Sequence, residues 1–217
     1  MSRRTSKKQK LSIMVSSSVY GYEDLLDQIF AVLNRFGYDV WMSHRGTVEV
    51  RSNDHTFDSS LQAVEKCDLF LGIIFPRYGS GLAKGELSIT HKEILRAIEL
   101  NKPRWFLAHE YVVFARQLLR GLGHDTPSKR QALAFTGAGT LRDLRVVDMY
   151  DAASREEIEE VLDRRGNWVQ KFGSSDEALL FTTAQFHRYR EIEQYLTENF
   201  AEPASVQEAI AAKRNEQ

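Results

Sequence analysis

The stretch DLFLGIIFP, Asp68 to Pro76, decides the fold, because between its two ends only Gly72 is not a large apolar residue. A strand with no polar alternation must be covered on both faces, as in the middle of a parallel sheet layered by helices. Upstream, FDSSLQAVEKC (57–67) has helical spacing and YDVWMS (38–43) reads as a strand. Before these, YEDLLDQIFAVLNRFG (22–37) places Leu25, Ile29, Leu33 and Phe36 on one helical stripe, with Gly37 as a stop, and LSIMVSSS (11–18) is a β-branched run ending in small polar residues. Downstream, GELSITHKEILRAIELNKP (85–103) contains a helix and PRWFLA (103–108) a strand. Strands alternating with helices at these lengths predict an α/β fold: a doubly wound, mainly parallel sheet with helices on both faces. Right-handed crossovers then put Ile13, Val40, Leu71 and Phe106 on four adjacent strands.

Beyond Ala108 the alternation weakens. EYVVFARQLLRGLG reads as a helix, 121–144 as an inserted loop, RVVDMYD as a strand, SREEIEEVLDRR as a helix and NWVQKF as a short strand. A single long helix from Asp176 to Phe200 is expected, with Phe186, Tyr189, Ile192, Leu196 and Phe200 on one stripe. The organisation is a basic disordered tail (1–10), one domain (11–200, with 11–108 as core and 109–200 as a helical extension), and a tail or short helix (201–217).

With 217 residues and 42% hydrophobic content, the chain can bury the core of one domain. The net charge is −1, and the first ten residues carry five positive charges, so the rest carries −6. That body is not a nucleic-acid surface. No apolar run spans a bilayer and no signal peptide is evident, which predicts a cytoplasmic protein without a membrane partner. Cys67 is the only cysteine, which rules out a disulfide framework, and the six histidines show no metal-ligand spacing, so no metal is expected.

One residue breaks the pattern. Glu93 lies inside the apolar arc of its helix, flanked by Ala97 and Leu100, where an unpaired charge costs several kcal/mol. Thr90-His-Lys-Glu93 fits a capping box, with Thr90 as N-cap and Glu93 reaching back to its amide. Alternatively, Glu93 lines a ligand pocket. Ligands in open α/β sheets bind beyond the carboxyl ends of the strands, where strand order reverses. Ser16, Ser17, Ser18 and Tyr20 follow the first strand; Arg77, Tyr78, Gly79 and Ser80 follow the central one; Ser88 and Thr90 open the helix of Glu93. Hydroxyls and glycine-freed amides suit phosphate and ribose, and Tyr20 or Tyr78 could stack on a base. Their joint placement favours the pocket.

Over Leu11 to Ala108 these residues resemble the TIR-like superfamily, in particular an uncharacterised bacterial branch. The matching features are VSSS, Arg77-Tyr78-Gly79, Ser88-x-Thr90-x-x-Glu93-x-x-x-Ala97, and Lys102-Pro103. The resemblance implies a TIR/flavodoxin-like fold, NAD as substrate rather than cofactor, and Glu93 as the catalytic glutamate that cleaves the nicotinamide–ribose bond. It also implies an antiphage setting, self-association, and a downstream effector that senses the product. The nucleoside deoxyribosyltransferases, a related fold, use a similarly placed glutamate as nucleophile, so nucleoside N-glycosidase chemistry stays open, as does a non-catalytic nucleotide-sensing or assembly module. Where TIR enzymes often carry an aromatic residue four positions before the glutamate, this chain has Ile89.

Overall fold

The computed structural model describes residues 10–50, 56–81, 85–137 and 139–199. The basic tail, Phe200 and the expected C-terminal helix lie outside them, apart from Lys10. Five strands, β1 (Ser12–Ser17), β2 (Asp39–Trp41), β3 (Leu69–Ile74), β4 (Arg104–His109) and β5 (Val169–Phe172), form one sheet in the order β2-β1-β3-β4-β5, with every pairing parallel. Ile13 pairs with Val40 and with Leu69, and Leu71 with Trp105, so the four expected strands are adjacent and β3 is central. All six β3 residues are buried.

Strand alternation divides the core into two layers. Met14, Phe70, Ile74, Phe106 and Ala108 face α2 (Thr56–Lys66), α3 (Ile89–Glu99), α4 (Glu110–Gly121) and α6 (Arg145–Ala153). Ile13, Val15, Leu69, Leu71, Ile73, Phe75 and Leu107 face α1 (Glu23–Phe36), α7 (Ser175–Phe186) and α8 (Tyr189–Asn199). Gly72 belongs to the first layer and must stay bare, because a Cβ there would stand 2.7 Å from the Phe106 ring.

The extension departs from the sequence expectation in three places. RVVDMYD forms helix α6 rather than a strand. Short apolar runs are ambiguous by periodicity alone. Asp148 and Asp151 lie one helical turn apart, and that spacing lets both reach Arg130, which stands on α5 (Pro127–Gln131), a short helix within the expected loop. SREEIEEVLDRR is not a helix but a run of turns ending in a 3-10 turn at Val161–Asp163. Its glutamates would repel one another at i,i+3 and i,i+4 spacing, and its apolar residues find no layer: Val161 is 67% and Leu162 94% exposed.

The expected long helix is two, α7 and α8, broken at His187-Arg188. The Tyr38 hydroxyl donates to the freed Phe186 carbonyl at 3.2 Å, and the Leu11 amide donates to the Tyr189 hydroxyl at 2.8 Å. The stripe itself survives the break: Phe186, Tyr189, Ile192 and Leu196 all pack in the second layer.

Candidate functional site

The order 2-1-3-4-5 reverses between β1 and β3, and the crevice beyond their carboxyl ends is where open α/β sheets bind ligands. Ser16 stands there in register with Gly72, on the face of the sheet covered by α2 and α3. Its hydroxyl donates to Glu93 Oε2 at 2.5 Å. A second hydroxyl, from Ser60 on α2, also bonds to the carboxyl group. Glu93 is 4% exposed. Burial pushes its pKa up to about 7, against the pull of the two serines, and no cation among the described residues contributes.

The capping-box reading fails on geometry. Ser88 is the N-cap of α3, its Oγ accepting from the His91 amide at 3.3 Å, and Thr90 is already inside the first turn. Glu93 is thereby placed beyond capping reach and turned toward the sheet. Thr90, three residues earlier on the helix, is buried and makes no cap.

The remaining expected residues divide between surface and scaffold. Ser17, on the opposite face of β1, is half-buried. The Ser18 hydroxyl donates to the Arg77 carbonyl at 2.8 Å, tying the β1 and β3 loops together. Gly79, at φ 82°, is a position where a Cβ would lie 3.7 Å from both Ser18 and Ser88. The exposed Ser80 accepts the Ile89 amide through its carbonyl, 3.2 Å away. Tyr20 is 76% exposed. Arg77 is exposed and forms no ion pair among the described residues; its guanidinium lies over Gly21, 3.9 Å from the place a Cβ would take.

Tyr78, by contrast, is buried and cannot serve as an open stacking surface. Its hydroxyl lies 2.8 Å from His91 Nδ1 and accepts the Ser88 amide at 3.3 Å. Burial, with help from the Arg145 charge, pulls the His91 pKa down to about 4, so the ring is neutral at pH 7 and its tautomer sets which of the two groups donates. The Arg145 guanidinium covers the Tyr78 ring at 4.3 Å, is held by Asp143 at 2.6 Å, and donates to the Gly85 and Glu86 carbonyls.

Ser60, His91, Asp143 and Arg145 were not singled out from the sequence. The only hint of Ser60 was a pair of serines in an otherwise amphipathic helix. Arg145 comes from the extension, where spacing along the chain says nothing about contact with the β3–α3 loop. Among the described residues, no cluster of three His, Cys, Asp or Glu could hold a metal ion, and no helix is long and apolar enough to cross a membrane.

The chemistry open to this arrangement is that of one buried carboxyl group, with hydroxyls beside it and, at the same sheet edge, a guanidinium that is unpaired among the described residues. No curated protein matches the chain. Residues 12–134, more than half of its length and extending past the segment that carries the TIR resemblance, match the model of a domain of unknown function, DUF4062. The chain, with its 2-1-3-4-5 sheet and buried glutamate, belongs to the DUF4062 family.

Proposed function

We propose that this protein is a TIR-like enzyme that cleaves the nicotinamide–ribose bond of NAD, depleting it or forming an ADP-ribose-derived signal, in a cytoplasmic bacterial antiphage response. The observation that carries the reading is the buried, cation-free Glu93 at the β1/β3 reversal. Breaking an N-glycosidic bond creates an oxocarbenium-like centre, which a carboxylate stabilises electrostatically or traps covalently. A cationic nicotinamide leaves readily, so one carboxylate suffices where a glycoside hydrolase needs two. A cationic substrate also supplies the positive charge that Glu93 lacks and favours its ionised form.

Nucleoside N-glycosidase chemistry would use the same glutamate. Arg77, exposed and unpaired among the described residues, favours a phosphate-bearing substrate over a free nucleoside, since a guanidinium pairs well with phosphate. The test is to incubate the purified chain with NAD, NADP and a panel of nucleosides and to identify products by mass spectrometry, across a range of protein concentrations to detect gating by self-association. Release of nicotinamide supports the reading. Release of bases from nucleosides alone would replace it with the glycosidase, and no release from any substrate, dilute or concentrated, would leave a binding module.

A further inference from the structure

The same side of the sheet carries a small cleft. Past the end of β2, a cleft of about 100 Å³ opens against α2. The Trp41 side chain and the small Ala63 form its apolar lining, and Glu49 and Lys66 stand at it 3.5 Å apart, their charges cancelling. Ser59 lines it as well, is 2% exposed, and its Oγ has no hydrogen-bond partner among the described residues. Buried hydroxyls are nearly always satisfied, and one that is not calls for an explanation.

Ser59 and Ser60 are consecutive on α2 but serve different neighbours: Ser60 bonds to Glu93, while Ser59 lines the cleft. Size limits the occupant, because whole drug-sized ligands occupy roughly 300–1,000 Å³. The lining limits it further. An indole favours a flat ring, the cancelled ion pair favours no net charge, and the unfilled hydroxyl favours a hydrogen-bonding edge.

We propose that this cleft binds one neutral planar heterocycle with an amide-like edge, such as a nucleobase or a pyridine carboxamide, with the ring against Trp41 and the edge on Ser59. The site goes beyond the glycosidic reading and does not need it: binding is measured without turnover and should persist in Glu93→Gln.

The experiment uses the full chain and three probes: nicotinamide, adenine and the non-planar cyclohexanecarboxamide. Saturation-transfer NMR and thermal shift report binding. At least one of the two planar rings should bind at millimolar concentration and the saturated amide should not. Ser59→Ala should weaken that binding about tenfold while raising the melting temperature of the ligand-free protein, because it removes an unsatisfied buried group. A purely structural serine would not give that pair of opposite changes. Ala63→Leu should fill the cleft and abolish binding; Trp41→Leu serves the same purpose if the larger residue prevents folding. The proposal is overturned if neither ring binds, if the saturated amide binds equally well, if the variants leave binding unchanged, or if Ser59→Ala lowers the melting temperature.

Discussion

Arg130, 3% exposed, lies between Asp148 and Asp151, with Nε 2.7 Å from one carboxylate and Nη2 2.7 Å from the other. Glu93, on helix α3, which packs against α6, is buried to a similar degree but has only hydroxyls for company. The first arrangement is how a fold tolerates buried charge: opposite charges meet in good geometry, and the remaining donor reaches the Asp125 carbonyl. The second offsets desolvation only in part, through the two hydroxyls. A carboxyl group that costs stability and has no cationic partner among the described residues is a candidate for work rather than for architecture.

The contrast breaks first at Arg130. Arg130→Met keeps much of the volume and strands Asp148 and Asp151 without their shared cation, although Arg116 still bonds to Asp151 at 2.6 Å. Loss of one partner from a buried pair costs about 3–5 kcal/mol. Urea denaturation should show a loss of that size. A loss under about 1 kcal/mol would mean that the site is no more structural than a surface pair.

Glu93→Gln should do the reverse, abolishing cleavage by more than about a hundredfold without a loss of stability. The pH dependence sharpens this. Because the folded pKa is raised to about 7 from an ordinary 4.5, the folded state holds this proton more tightly than the unfolded chain does. Stability from this group is therefore fully present below about pH 4.5 and lost as pH rises through 7, roughly 3 kcal/mol in all. The amide cannot ionise and escapes that loss. Thermal melts should show the variant gaining on the parent between pH 5 and pH 8.5, while parental turnover rises through about pH 7 as the carboxylate forms. A parent that gains on the variant as pH rises would mean that Glu93 is stabilised as an anion by something other than the two serines.

The same two sites show what could be read from the chain alone. A glutamate inside an apolar arc and a strand ending in serines are local patterns, so Glu93 and Ser16 were legible, as was the sheet, whose short apolar runs alternate with stretches of helical spacing. The second hydroxyl on Glu93 comes from a neighbouring helix, and Arg145 reaches the β3–α3 loop from the extension. Contacts of that kind carry no periodicity. The strand expected at RVVDMYD failed for a related reason: its helix is favoured by Asp148 and Asp151 both meeting Arg130, a tertiary contact outweighing β propensity.

The smallest expected effect concerns Arg77, which differs from Arg130 in the other direction: exposed, unpaired among the described residues, and at the sheet edge rather than under a helix. It holds no carboxylate among the described residues, so Arg77→Ala should change the unfolding free energy by no more than about 0.5 kcal/mol. Its carbonyl, not its side chain, makes the bond to Ser18, so the β1–β3 tie survives. If the guanidinium meets substrate phosphate, the variant should raise KM for NAD severalfold, leave kcat nearly unchanged, and flatten the salt dependence of KM, because one screened charge pair is gone. Nucleosides, which carry no phosphate, should be handled as before. Equal loss for NAD and nucleosides would place Arg77 outside phosphate recognition, and a drop in kcat alone would move it to the reacting centre beside Glu93.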